Sequence, residues 1–174
     1  NLAAVLASTS KKVLLIDGDL RKGILHQYLG LKRDHGLSEF VSGRIKIGEA
    51  LHKTSIEGLD FIPTGKLPPN PAELLLHKRF SIALKVLSSQ YDQIIIDSPP
   101  ILAATDASII GQLAGVTLMV IKAGAHPMRE IEQSSKTLQQ AEVNLRGMLF
   151  NDANLSSRRY GVGKYSYQYV YQKS

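Results

Sequence analysis

Three carboxylates and one guanidinium stand where a phosphate site would need them. Lys12 to Asp17 reads K-V-L-L-I-D and Gln93 to Asp97 reads Q-I-I-I-D, two apolar runs that each close on an acid. Runs of this kind suit strands buried on both faces of a parallel sheet, and ligands of open parallel sheets bind beyond the carboxyl ends of the strands. Asp17 and Asp19 are two residues apart, so a chain that stays extended through Gly18 projects both carboxylates to one side, with Arg21 following. Magnesium takes oxygen ligands and keeps several waters, so Asp97 could hold it directly or through water. Asp17 or Asp19 could then orient a hydroxyl or accept its proton, because phosphoryl transfer rests on positioning and charge neutralisation. A single strand-end Asp is more often a turn or cap residue. Two strands ending in acids, with a third acid beside one of them, favour a shared site.

Such a rim needs a sheet to carry it. Val116 to Lys122 repeats the apolar run, and Leu59 to Ile62 and Arg146 to Asn151 are weaker copies. Between the runs, Asn70 to Ser89, Asp106 to Leu113 and Met128 to Ala141 carry helical spacing. Asn70-Pro71-Ala72-Glu73 reads as a helix start, with Asn at the cap, Pro at the first helical position and Glu placed for a capping box. Strands alternating with crossover helices predict an α/β fold: a parallel sheet with helices on both faces. A core over residues 1–152 is expected, followed by a flexible tail over 153–174 that is rich in Asn, Ser, Arg, Gly and Tyr.

Composition narrows the function classes. The 174 residues suffice for one domain. There is no cysteine, which excludes disulfides and thiolate metal sites. His26, His35, His52, His77 and His126 are scattered without ligand spacing and read as surface or satisfied residues. No apolar run approaches the roughly 18 residues of a membrane span, and Asn1 to Ala7 lacks the flanks of a signal peptide. The net charge is +6, of which Arg158, Arg159, Lys164 and Lys173 place four charges in the tail. A core near neutrality argues against a nucleic-acid partner.

The motifs together resemble one family. Leu14 to Arg21, L-L-I-D-G-D-L-R, is similar to the second phosphate-site motif of the bacterial tyrosine kinases, and Ile94 to Pro100, I-I-I-D-S-P-P, to their Walker B strand. Leu67 to Leu75, L-P-P-N-P-A-E-L-L, resembles a loop and helix start of the same family. The resemblance implies a P-loop NTPase-like fold using ATP and Mg2+. It implies that Asp17 and Asp19 serve magnesium and activation of a tyrosine hydroxyl, Asp97 the metal's water shell, and Arg21 phosphate or motif geometry. Asn151 matches a position that contacts adenine in related ATPases. The resemblance also implies a ring-like homo-oligomer, a membrane-anchored chain-length regulator, a cognate tyrosine phosphatase, and a place on the cytoplasmic face of the inner membrane in exopolysaccharide or capsule synthesis.

One family element is not found. The phosphate-binding loop G-x-x-x-x-G-K-[ST] is absent, and Gly161-Val162-Gly163-Lys164 does not substitute, because Tyr165 stands where Ser or Thr must hold magnesium. The resemblance places the true loop just before Asn1, so these residues by themselves are expected to bind ATP weakly and to be inactive.

Five of the seven tyrosines, Tyr160, Tyr165, Tyr167, Tyr169 and Tyr171, fall in the last fifteen residues. Their two-residue spacing could form one face of an edge strand, or a stacking platform for bases. As autophosphorylation sites they would move the tail from +4 to about −4 to −6. Two other readings stay open: a partition or positioning ATPase of the same superfamily, and a scaffold with a vestigial site.

Overall fold

The computed structural model describes residues 1–153. A central sheet has the order β2-β3-β1-β4, where β1 is Val13–Asp17, β2 His52–Lys53, β3 Leu59–Ile62 and β4 Gln93–Asp97. β1 pairs in parallel with both β3 and β4, so it is covered at both edges. β2 is a short antiparallel edge strand that the sequence did not announce, and its Lys53 Nζ lies 2.9 Å from Asp60 Oδ1. A second sheet joins β5 (Thr117–Lys122) in parallel to β6 (Leu145–Asn151).

Side chains along β1 alternate between two helical layers, as a strand's period of two requires. Val13 and Leu15 face α1 (Leu2–Ala7), where Ala3 and Ala7, four residues apart, present a flat small-residue stripe that lets the helix approach β1 and β3 closely. Leu14 and Ile16 face the larger core with Leu20, Leu37, Phe40, Leu75, Phe80 and Ile110. Helices therefore lie on both faces of the sheet, as expected. The larger core is closed by α3 (Leu37–Val41), α4 (Ile47–Ala50), α5 (Pro71–Leu76), α6 (Lys78–Leu87) and α7 (Asp106–Leu113), with the one-turn α2 (Leu25–Tyr28) beyond the end of β1.

Several elements differ from expectation. The span Asn70 to Ser89 is two helices, because His77 takes an extended backbone at φ −66, ψ 134 and its Nδ1 accepts the Arg79 N–H at 3.2 Å, capping α6. Pro71 occupies the first turn of α5 as expected, but the Asn70 amide donates to Glu73 Oε2 at 3.1 Å in place of capping the backbone. β4 and β5 are only partly buried, unlike β1. Their outer edges have no strand partner among the described residues, so the apolar runs that predicted full burial are half met.

α7 links the two sheets. Its Ile110 enters the larger core, and Gly111 lies so close to Val143, just before β6, that an added Cβ would sit 2.7 Å from Val143 Cγ1. α8 (Met128–Gln140) covers β6 and buries Ser134 and Leu138, four residues apart on one face.

Phe80 anchors the larger core from the first turn of α6 and is 1% exposed. Phe80→Ala is expected to lower unfolding stability by about 3–5 kcal/mol, measured as a shifted urea midpoint with an unchanged slope.

Candidate active site

The strand register brings the predicted acids together. Asp17 and Asp97 are direct partners across the β1–β4 pair, and the Gly18 N–H donates to the Asp97 carbonyl at 2.9 Å, holding the two strand ends side by side. This approach requires glycine: a Cβ on Gly18 would lie 2.6 Å from the Asp97 carbonyl oxygen and 2.9 Å from Ile110 Cδ1.

Beyond Gly18 the chain turns at once. The Asp19 carboxylate accepts the N–H groups of Arg21 at 3.0 Å and Lys22 at 2.9 Å through Oδ1, and the Gly23 N–H donates to the Asp19 carbonyl at 2.7 Å. Asp19 thus organises its own loop with one oxygen, and Oδ2 has no protein donor among the described residues. Leu20 is buried in the larger core and pins the loop's centre.

Asp17 is fully buried. Its Oδ2 accepts the Leu25 N–H at 3.1 Å, and its Oδ1 is buried without a hydrogen-bond partner. The buried Thr64 hydroxyl lies beside it and donates to the Asp19 carbonyl at 3.4 Å. Burial pushes the Asp17 carboxyl above the usual range, against the lowering influence of the Leu25 amide, the Thr64 hydroxyl and the Asp19 backbone. Asp97 is exposed at the rim, and its carboxyl is also raised, by desolvation first and then by the charges of Asp17 and Asp19. The three carboxylates therefore share one field, in which each charge opposes the others.

Arg21 is engaged by a buried carboxylate. Its Nε and Nη2 donate to the two oxygens of Asp106, at 2.9 and 3.0 Å. Asp106 opens α7, is fully buried, and was not singled out from the sequence. A carboxylate at the start of the helical span Asp106 to Leu113 was the available signal, but in sequence it reads as an ordinary helix-start acid.

Asn151 ends β6 beside Lys122 of β5 and is exposed, and its carbonyl accepts the Ala123 N–H at 2.9 Å. The five tail tyrosines and the Gly161–Lys164 fragment lie outside the described residues. Of the two remaining tyrosines, Tyr28 is exposed on α2, while Tyr91 is buried and donates to Asp60 Oδ2 at 2.7 Å. Three histidines make ring hydrogen bonds to backbone groups: His52 to the His35 carbonyl, His77 to Arg79 and His126 to Lys122.

The donor set suits a hard divalent cation. Magnesium takes one or two carboxylates and completes its shell with water and phosphate oxygens, and Asp17 and Asp97, partners across the β1–β4 pair, could supply the carboxylates. The unpartnered Oδ1 of Asp17 is the kind of buried oxygen that a cation or its water would satisfy.

The AAA domain family matches residues 1–156. The tyrosine-protein kinase wzc of Salmonella typhimurium is 43% identical over 173 residues, covering 99% of this chain and 24% of that protein. The kinase domain of Escherichia coli tyrosine kinase ETK superposes with a TM-score of 0.87 at 37% identity, over 97% of this chain and 64% of the other. This chain belongs to the bacterial tyrosine-kinase branch of the AAA domain family. The septum site-determining protein MinD of Pyrococcus horikoshii, complexed with Mg-ADP, superposes at 0.70 with 23% identity, a likeness of fold alone. The kinase-family chain spans about a quarter of the length of the curated relatives it matches.

Two outcomes follow from the rim's packing. Gly23→Ala should reduce stability by about 1–3 kcal/mol, seen in chemical denaturation, because its Cβ would collide with the Thr64 hydroxyl and lie 2.6 and 2.7 Å from the Asp17 oxygens. Asp97→Asn should raise the melting temperature at pH 7. The raised carboxyls of Asp17 and Asp97 bind protons more readily folded than unfolded, so their contribution improves as pH falls from neutral toward their raised pKa values. The gain from Asp97→Asn should therefore shrink toward acidic pH.

Proposed function

We propose that the complete protein transfers the γ-phosphate of ATP to tyrosines of its own tail, mostly between subunits. The reading rests above all on one observation: Asp17, Asp19 and Asp97 converge at the carboxyl ends of β1 and β4 in a chain of this family. Asp97 and Asp17 would hold a magnesium ion, in part through its waters. The ion, when bound, would neutralise charge on the phosphate oxygens. Asp19, whose Oδ2 is free of protein donors, would orient the tyrosine hydroxyl and receive its proton as the phenolic oxygen bonds to phosphorus and ADP departs. Arg21 would hold the loop in place and would not bind phosphate.

Tyr160, Tyr165, Tyr167, Tyr169 and Tyr171 are the proposed acceptors, and Asn151 the proposed adenine contact. Phosphorylation would reverse the tail's charge and loosen a ring-like homo-oligomer. Wider roles come from the family: a membrane-anchored chain-length regulator, a cognate tyrosine phosphatase, and control of exopolysaccharide or capsule synthesis at the inner membrane. No helix among the described residues is long and apolar enough to cross a membrane.

Phosphotyrosine formation after ATP addition to the complete protein tests this. Asp17→Ala and Asp97→Ala should each reduce it by at least about 100-fold, and Phe at the five tail positions should abolish tail labelling. Phosphate release without phosphotyrosine would instead indicate a positioning-type ATPase; neither product would indicate a scaffold.

A further inference from the structure

The Arg21–Asp106 pair is poorly explained by stability alone. Asp106 is fully buried, whereas the Arg21 side chain is 44% exposed. Burying a carboxylate carries a desolvation cost that a half-exposed partner offsets incompletely. Both Asp106 oxygens are committed to the same guanidinium, in a two-pronged geometry that fixes direction as well as distance. The residue that carries this carboxylate is itself held firmly. α7 is seated by Ile110 in the larger core and by Gly111 against Val143.

Arg21 is also tied to the acidic rim. Its backbone N–H bonds to Asp19 Oδ1, and the charge of Asp19 acts on its guanidinium. A released Arg21 would stand beside three mutually repelling carboxylates on a long side chain, and their field would draw it onto them. There it would neutralise the charge that attracts a divalent cation. Resting on the kinase reading above, we propose that Asp106 is a positioning residue. By holding Arg21 aside, it keeps the Asp17–Asp19–Asp97 rim open to a divalent cation.

The complete protein, with ADP present, provides the test. Mn2+ affinity is followed by water-proton relaxation, folding by thermal melts, and Mg2+ dependence by phosphotyrosine formation. Asp106→Asn should weaken Mn2+ binding and raise the half-maximal Mg2+ concentration roughly tenfold. Adding Arg21→Met to Asp106→Asn should return Mn2+ affinity toward the unsubstituted value, because the competing cation is gone. Arg21→Lys keeps the charge but cannot form the fork, and should weaken Mn2+ binding in a fold that melts normally. Unchanged Mn2+ affinity in both Asp106→Asn and Arg21→Lys would overturn the proposal, as would a double variant that binds no better than Asp106→Asn. Absence of phosphotyrosine from the unsubstituted protein would count against the kinase reading, leaving the Mn2+ series to decide the role of Asp106.

Discussion

Asp17 is a carboxylate buried at the end of a strand paired on both edges, in register with a second carboxylate and two residues from a third. Nothing in the packing of an apolar core calls for this. Desolvation and like charge both oppose ionisation there, and the surrounding chain is arranged to limit the cost. The Leu25 amide supplies one hydrogen bond, Asp19 turns one oxygen toward its own loop, and Asp97 faces solvent. One oxygen of Asp17 nevertheless stays without a partner, and that residual cost is what a bound cation would relieve.

The rest of the molecule positions this rim. β1 sits between β3 and β4 and divides its side chains between two apolar layers, so its end can shift little without disturbing both. Close approaches at Gly18 and Gly23 seat the loop against Asp97, Ile110, Thr64 and Asp17 with no room for a side chain. α7 contributes Ile110 to the core and Asp106 to Arg21, and thereby couples the loop after β1 to the region before β6. α7 thus reaches the loop after β1 twice, through Asp106 on Arg21 and through Ile110 beside Gly18.

The kinase reading and the positioning-ATPase reading differ little at the rim itself. Two carboxylates for a metal shell and one for a hydroxyl would serve attack by tyrosine or by water. Likeness to tyrosine kinases over nearly the whole chain favours the first.

Local pattern was enough for the strand cores, the parallel α/β class and the three acids, because apolar runs closing on Asp and an Asp-x-Asp spacing are set by neighbours in sequence. The break at His77 was not legible, since the Asn70–Ser89 span keeps helical spacing while a ring nitrogen and one extended residue restart the helix. The short antiparallel β2 was also missed, because two residues carry no period. Half-burial of β4 and β5 depends on which edges find partners, and an apolar run cannot report that. The clearest division is at Arg21. Its place after Asp17 and Asp19 made it a site residue from sequence alone, yet its partner lies 85 positions away at the start of α7. Only the seating of that helix on α5 and the larger core could decide that the guanidinium would be held by Asp106.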